Sequence, residues 1–269
     1  MSSGNYNFKN LKVISGHQPV YLPWLGLFHK LYLSDKFVYM DTVQYLDGDW
    51  NNRNKIKTSQ NELMLTVPIS KKKSKNKKLN EIIIHGHDQQ NKKDFWQRVH
   101  CESIKLNYKK SPFFDYYAKD LEDMYTKKNW KYLIDICWYQ FNLFRKYLNL
   151  ENKEVIRMSE FDFTGTKDEL IIDHCTKLAG TGVVFGKHGR DYVDINKFNE
   201  KKILVYYQNY RHPVYNQMFN NFIPNLCVLD LLLNAGPEKS KKIFLEDNIS
   251  KDSLEKPTHW ENYNNIYAY

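Results

Sequence analysis

Three histidines stand in short loops whose composition suits a ligand site. His17 lies in the run Ser-Gly-His-Gln-Pro-Val-Tyr-Leu-Pro-Trp, His188 lies in a glycine-containing run, and His212 precedes a proline. Imidazole changes its charge near neutral pH, so each of these side chains could act as a general base. A purely structural role, such as packing a tight corner, is the alternative for each of them.

The run around His17 is stiffened by two prolines. Pro19 and Pro23 restrict the backbone and remove two amide donors, which suits a turn that holds side chains towards a ligand. A motif of this kind is a hypothesis that its structural context must support. The residues of this run that we expect at a ligand site are His17, Gln18, Tyr21 and Trp24.

A second candidate segment, residues 50–57, reads Trp-Asn-Asn-Arg-Asn-Lys-Ile-Lys and holds three amides and three cations. Arg53 could bind a phosphate with two parallel hydrogen bonds, while Lys55 and Lys57 would act as point charges. The composition therefore indicates a polyanionic or sugar ligand, and an exposed polar loop is the alternative. The ligand-binding candidates here are Asn52, Arg53, Asn54 and Lys55, preceded in the chain by Asp41 and Gln44.

Two later loops complete the candidate site. Residues 185–192 contain glycines that would let a backbone approach a ligand, but they lack the Gly-Lys-Ser/Thr ending of a phosphate-binding P-loop. Residues 210–217 follow another strand signal. The candidates in these loops are His188, Arg190, Tyr192, Tyr215 and Gln217.

These loops need a framework that brings them together. Apolar runs at residues 11–16, 36–45, 183–186 and 203–210 predict strands, and residues 22–33 have helical spacing. A strand, a helix and a second strand form the opening of a parallel α/β unit, in which site residues lie at the carboxyl ends of strands. We also expect a hairpin of residues 63–69 and 79–85, joined by a lysine-rich loop.

The predicted fold is therefore an α/β domain with a mostly parallel sheet and flanking helices. Residues 94–150 have mainly helical patterns and predict a helical insertion in the middle of the chain. No internal repeat or clear linker divides the sequence, so we expect residues 1–269 to form a single domain. We make no prediction of the oligomeric state.

Composition narrows the class of protein. The chain has 269 residues, of which 42% are hydrophobic, and this content is sufficient to form a hydrophobic core. No run approaches the roughly 18 apolar residues of a membrane span, and residues 1–10 lack the apolar core of a signal peptide. The four cysteines are far apart and form no Cys-x-x-Cys pair, which argues against disulfides and a zinc site. We expect a cytoplasmic protein with no membrane span and no metal.

The formal net charge of +9 comes partly from residues 71–78, which include six lysines. Such a run is typical of a solvated loop, although lysines also neutralise phosphates without reading sequence. The charge is compatible with a tRNA or an acidic carrier protein as partner. The signatures Gly-x-Ser-x-Gly, His-Glu-x-x-His and Gly-x-Gly-x-x-Gly are absent, so serine hydrolases, zinc proteases and dinucleotide-dependent dehydrogenases lack their usual motifs.

Six motifs in this order resemble the WbqC-like protein family. They are HQPVYLPWLG (17–26), SDKFVYMDTVQY (34–45), WNNRNKIK (50–57), GRDYVD (189–194), HPVYNQ (212–217) and LCVLDLLLNAG (226–236). Cys227 departs from the pattern, because the resemblance leads us to expect serine there. That departure argues against Cys227 as a nucleophile common to the family.

The resemblance implies a role in bacterial O-antigen or capsule biosynthesis. It implies an enzyme that transfers an acyl or aminoacyl group, for example glycyl, to the amino group of a nucleotide-linked amino sugar. His17 or His212 would be the base, Asp41 is a further catalytic candidate, and Gln18 or a backbone amide would stabilise the oxyanion. The donor stays open between a thioester, an aminoacyl-tRNA and an ATP-activated amino acid, so the cofactor is undetermined.

Three alternatives stand beside this interpretation. The first is a non-catalytic protein of the same pathway that binds nucleotide sugars or carbohydrates. The second follows from the opening strand-His-helix-strand-Asp pattern, which is similar to ATP-using nucleotidyltransferase-type domains, although Val20 stands where their second histidine would be. The third, a nucleic-acid-binding protein, is suggested by charge alone.

Overall fold

The computed structural model describes residues 8–90, 92 and 95–267. The strands are β1 (Val13–His17), β2 (Lys36–Tyr39), β3 (Arg53–Lys57), β4 (Glu62–Thr66), β5 (Glu154–Arg157), β6 (Gly182–Phe185) and β7 (Leu204–Tyr207). The helices are α1 (Leu25–Leu33), α2 (Lys71–Ser74), α3 (Trp96–Tyr108), α4 (Phe114–Thr126), α5 (Leu133–Tyr147), α6 (Lys167–Lys177), α7 (Ile195–Glu200), α8 (Val228–Leu245) and α9 (Tyr263–Tyr267).

The centre of the molecule is a five-stranded sheet in the order β5-β2-β1-β6-β7, and every neighbouring pair is parallel. The chain winds from β1 outwards through β2 to β5, then returns to β6 on the other side of β1. This reversal creates a topological switch point between β1 and β6, where the loops after the two strands diverge. Crevices at such points, outside the carboxyl ends of the strands, are the usual ligand sites of open parallel sheets.

The central strands are apolar because helices cover both faces of the sheet. Val13 and Ile14 of β1 are buried, and so are all four residues of β6. Helix α1 returns the chain to β2 and is buried over almost its whole surface. The predicted α/β class with a mostly parallel sheet is thereby confirmed.

Between β2 and β5 the chain leaves the sheet. The β3–β4 hairpin comes first, and helices α3, α4 and α5 follow it. These elements share one hydrophobic core with α1 and α8. The middle of the chain is thus a mainly helical insertion, as the sequence predicts, preceded by a two-stranded sheet.

The predicted hairpin of residues 63–69 with 79–85 is wrong. Strand β4 instead pairs antiparallel with β3, a segment whose polar composition favours a loop. Strand β3 buries Asn54 and Ile56 on one face, and Arg53 and Lys55 are partly exposed on the other. Because both faces carry polar residues, the sequence does not show the alternation of apolar and polar residues that is typical of a strand. Residues 79–85 keep a 3-10 turn and isolated bridges, including one between residues 69 and 84.

Two further differences concern short elements. The first part of the lysine-rich run forms α2, a single helical turn, instead of a loop. Strand β5 has no counterpart among the strands predicted from sequence, because its four residues are too few to show a period of two.

Within the described residues, no helix combines the length and apolar character needed to cross a membrane. Residues 1–7, on which the expectation about a signal peptide partly rests, lie outside the described residues, as does Asp94 at the start of the predicted insertion.

Candidate functional site

His17 ends β1 at the switch point of the sheet. Its Nδ1 lies 2.8 Å from the carbonyl oxygen of Gln18, and its ring meets the Trp24 ring edge-on with centroids 5.4 Å apart. A carbonyl oxygen can only accept, so Nδ1 carries the proton and Nε2 of the neutral ring keeps its lone pair. The sequence motif thus presents one basic nitrogen in a fixed direction.

Burial keeps this imidazole neutral. It lowers the pKa of His17 to about 4, and the nearby Lys30 charge contributes to this lowering. Lys30 lies on α1, is 7% exposed, and donates from Nζ to the Gly16 carbonyl oxygen at 2.7 Å. Burial lowers the pKa of Lys30 itself to about 8. In the part of the chain that the structure describes, this ammonium forms no ion pair.

Asparagine side chains hold the loop after His17. The Asn51 amide donates to Gln18 Oε1 at 3.2 Å and to the Pro19 carbonyl oxygen at 2.8 Å. The Asn54 amide donates to the Leu22 carbonyl oxygen at 2.6 Å. Asn54, a ligand-binding candidate from sequence, therefore lies inside the scaffold that fixes the shape of this loop.

Two helix N-termini meet beside the same loop. Trp24 precedes α1, Cys227 precedes α8, and the two residues form an antiparallel bridge. The Val228 amide donates to the Pro23 carbonyl oxygen at 2.9 Å. Neither Trp24 nor Cys227 caps its helix with a side-chain hydrogen bond. Helix N-termini favour negative charge, so the surroundings of Trp24 are electropositive.

Asp41 lies in a buried ion pair. Its carboxylate is fully buried and accepts from Arg157 Nε at 3.0 Å and from the amide and hydroxyl of Ser159 at 2.8 and 2.7 Å. Arg157 Nη2 lies 2.9 Å from the same carboxylate. These contacts join the ends of β2 and β5. Asp41, a catalytic candidate from sequence, is therefore placed to position the sheet edge and is closed off from solvent.

Two other expected ligand residues also lie in the interior. The Tyr21 hydroxyl contacts His100 Nδ1 at 2.7 Å and the Tyr125 hydroxyl at 2.5 Å, and its side chain is fully buried. The Asn52 amide donates to the Val67 carbonyl oxygen at 2.8 Å. Both side chains stabilise packing behind the loop and are not exposed to a ligand.

Arg53 and Lys55 lie on the outer face of β3. Each cation lies over the Trp50 ring, 5.8 and 5.9 Å from its centroid respectively. Arg53 also donates to the Gly48 carbonyl oxygen, and Lys55 pairs with Glu62. Gln44, in the loop that precedes this strand, is exposed.

The loop after β6 is also at the carboxyl edge of the sheet, but it is largely in solvent. The His188 side chain is 89% exposed, and its Nδ1 lies 3.4 Å from Asp191. Arg190 pairs with Glu261 and lies 4.9 Å from the centroid of the Tyr207 ring. Tyr192 is 67% exposed. The pairing of β1 with β6 ends at Ser15 and Val184, before this loop begins.

The loop after β7 leads away from the sheet into a buried polar cluster. The His212 ring packs near Tyr215 and Phe222, its Nε2 is buried without a hydrogen-bond partner, and burial lowers its pKa to about 4. The Tyr215 hydroxyl donates to Asp230 at 2.8 Å. Because Nε2 of His212 is covered, His17 is the better placed of the two histidines to act as a base.

The sequence reasoning missed the centre of that cluster. Asp230 is fully buried in the first turn of α8 and also accepts from the Tyr108 hydroxyl at 2.8 Å. Lys57 is 1% exposed, and its ammonium donates to Gln217 Oε1 at 3.0 Å. The sequence signal for this cluster is Asp230 itself, an acidic residue inside the otherwise apolar run 226–233. Within the described residues, no three histidine, cysteine or acidic side chains cluster closely enough to hold a metal ion.

Comparisons with known proteins agree with this arrangement of motifs. The model of the WbqC-like protein family matches residues 18–242. A relative from Mycobacterium tuberculosis (strain ATCC 25618 / H37Rv), described as "Uncharacterized protein Rv1507c", is 31% identical over 231 residues, which cover 85% of this chain and 96% of the relative. No solved structure matches this chain.

Proposed function

The chain belongs to the WbqC-like protein family, and from that premise we propose that it is an acyl or aminoacyl transferase. The acceptor is the amino group of a nucleotide-linked amino sugar used for bacterial surface polysaccharide. The observation that carries the proposal is the neutral His17 imidazole at the switch point, with Nδ1 bonded to the Gln18 carbonyl and Nε2 left as an acceptor.

The chemistry proposed for this edge is acyl transfer to nitrogen. The amine attacks the acyl carbonyl carbon, a carbon–nitrogen bond forms, and the bond from that carbon to the thiolate, alkoxide or phosphate leaving group breaks. His17 Nε2 accepts the amine proton and returns it to the leaving group. An anionic substrate beside His17 would raise the low pKa of its imidazole towards neutrality, because a negative charge favours the imidazolium.

The surroundings supply the other requirements. The Gln18 side-chain amide nitrogen has no hydrogen-bond partner among the described residues and could donate to the developing oxyanion. The α1 N-terminus beside Trp24 favours a diphosphate, and Arg53 and Lys55 are proposed as further phosphate contacts, although they lie on the face of β3 opposite Asn54. The acyl donor is a thioester, an aminoacyl-tRNA or an amino acid activated by ATP, and a carrier protein or a tRNA is then a partner.

Mass spectrometry tests the proposal directly. The protein is incubated with a UDP-linked amino sugar and, in turn, an acyl-CoA, an aminoacyl-tRNA, and glycine with ATP. We expect a mass gain equal to one acyl group with one of these donors. His17→Ala should lower kcat by about a hundredfold or more, and Arg53→Ala should mainly raise KM. The matched control is His85→Ala, which removes an exposed histidine outside this edge.

The other outcomes identify the alternatives. Saturable binding of the nucleotide sugar without a mass gain for any donor would overturn the transferase and favour a binding protein. The sheet order, with a histidine ending its first strand, specifically supports nucleotidyl transfer as the second candidate. Pyrophosphate release from ATP with the amino acid alone would favour that candidate. Nucleic-acid binding that is lost at physiological salt would exclude the third alternative.

A further inference from the structure

An open surface cavity of about 470 Å³ lies between the turn that joins β3 to β4 and the loop 219–223, and most of its lining side chains are exposed. Its lining is formed by residues 57–61, 219–221 and 223. Its volume lies within the range of small-molecule sites. The function proposed above makes no use of this cavity.

One wall of the cavity has an unusual backbone. Phe219 and Asn221 both have φ of 65°, in the left-handed region that bulky side chains rarely adopt. Phe219 nevertheless remains 39% exposed. Positive φ at a non-glycine residue persists only where surrounding contacts enforce it, and such residues gather at ligand sites.

The contacts that enforce this loop come from the polar cluster below it. The Gln217 amide donates to the Ile223 carbonyl oxygen at 2.8 Å, and Gln217 Oε1 accepts from the Ile223 amide at 2.9 Å. The Lys57 ammonium donates to the Asn221 carbonyl oxygen and to Gln217 Oε1. These hydrogen bonds fix the conformation of the loop 219–223.

The cavity does not offer a free positive charge. Lys57 is 1% exposed, its ammonium already has two oxygen acceptors, and the charge of Asp230 acts on it. An anion would have to displace these partners at the cost of leaving buried groups unpaired. The lining therefore selects against phosphate and carboxylate ligands.

The remaining lining groups are neutral donors and acceptors. The lining side chains without a hydrogen-bond partner among the described residues are Ser59, Gln60, Asn61, Asn220 and Asn221, and all five are exposed. An amide or hydroxyl group both donates and accepts, as each hydroxyl of a sugar does. The Phe219 ring supplies an apolar face on which the C–H side of a sugar ring can pack.

We propose that this cavity binds a neutral sugar unit, separately from the chemistry at His17. The cavity, the positive φ of Phe219 and the uncharged free groups of the lining support this site whether or not the chain is a transferase. A second sugar site would let the protein bind a saccharide through a unit that does not react.

Saturation-transfer NMR and calorimetry test the site with N-acetylglucosamine and its β1,4-linked disaccharide as probes. We expect transfer to the sugar C–H protons and saturable binding, with inorganic phosphate failing to compete. Phe219→Gly should weaken sugar binding about tenfold or more. Glycine accepts positive φ without strain, so this variant removes the ring and keeps the loop folded.

Matched variants distinguish loss of the sugar site from a general effect of removing an exposed aromatic ring. Tyr116→Ala removes an aromatic side chain that is 62% exposed on α4, and it should leave sugar binding unchanged. His17→Ala should also leave it unchanged, so that sugar binding in the cavity is measured independently of transferase activity. Absence of binding to either probe, equal losses in Phe219→Gly and Tyr116→Ala, or competition by phosphate would overturn the proposal.

Discussion

At the scale of residues, the candidate site contains two basic groups close together at the end of β1, the half-buried His17 and the buried Lys30. His17 is neutral and fixed by one backbone hydrogen bond, and Lys30 is held against the Gly16 carbonyl. Burial lowers the pKa of both side chains, and the lysine charge also lowers the pKa of the histidine. His17 is therefore neutral at neutral pH, and in the proposed function an anionic substrate would raise its pKa.

We predict that Lys30→Met raises the pKa of His17. The substitution removes a positive charge that disfavours the imidazolium, while burial, the larger cause, remains. The pKa should therefore rise from about 4 but stay below the ordinary value of 6.5. The measurement is the pH titration of the His17 Cε1 proton by NMR, assigned with His17→Ala. Lys36→Met, which removes a lysine paired with Glu154, is the control, and an equal shift in both variants would contradict the prediction.

At the scale of elements, the most demanding position is the kink in α8. Gly236 has φ of 75° within the helix, and Pro237 follows it. A Cβ at Gly236 would come within 2.4–2.7 Å of the Phe113 ring, and the Phe113 amide donates to the Leu233 carbonyl oxygen at 3.1 Å. The kink therefore lets the α3–α4 connection approach α8 closely.

We predict that Gly236→Ala lowers the free energy of unfolding by about 2–4 kcal/mol. Positive φ and the overlap with the Phe113 ring both oppose a methyl group there. Gly186→Ala is the matched control, because Gly186 has φ of −73° and nothing lies within 4 Å of its added Cβ. That variant should stay within about 0.5 kcal/mol of the parent. Denaturant unfolding measures both, and equal stabilities would show that α8 can straighten.

At the scale of the whole molecule, burial of neutral imidazoles couples folding to pH. The histidines whose pKa is lowered to about 4, chiefly by burial, are His17, His29, His100, His174 and His212. Some of these neutral rings have hydrogen-bond partners for both nitrogens. His29, for example, lies 3.0 Å from the Ile249 carbonyl oxygen and 2.8 Å from the Gln208 amide nitrogen. These rings lie in β1, α1, α3, α6 and the loop after β7, so the pH dependence is distributed over the fold.

We predict that the free energy of unfolding decreases as the pH falls from 6.5 towards 4. Over this interval the histidines of the unfolded chain bind protons, whereas the same imidazoles in the folded protein stay neutral. The contribution to the free energy of unfolding that is present above pH 6.5 is therefore progressively lost. Each histidine contributes at most about 1.4 kcal/mol per pH unit. Urea unfolding across this pH range measures the slope.

His174→Leu isolates one of these contributions. His174 is 1% exposed and its Nε2 has no hydrogen-bond partner, so removing it should reduce the slope by up to about 1.4 kcal/mol per pH unit. Leu178→Ala, in the neighbouring core, should lower stability at every pH without changing the slope. An unaltered slope in His174→Leu would contradict the prediction for this residue.

The sequence by itself determined the succession of most sheet strands along the chain, the helices around them and the loops that follow the strands. Apolar runs and helical spacing are local signals, and parallel α/β winding then brings the carboxyl ends of strands to one edge. His17 and the loop after it were found in this way. The short β5 and the polar β3 were missed because neither shows its period clearly.

Only the tertiary structure decided which polar side chains are scaffold and which are free. Asp41 meets Arg157 across 116 positions of sequence, and Tyr108 meets Asp230 across 122. A carboxylate, an amide and a hydroxyl look equally suited to a ligand or to an internal partner, because the same lone pairs and protons serve both. Which of the two a side chain meets depends on the distant segment that folding packs against it. The sequence therefore predicted that the candidate residues follow strands at the carboxyl edge of the sheet. The tertiary structure decided which of their side chains have internal partners and which are free.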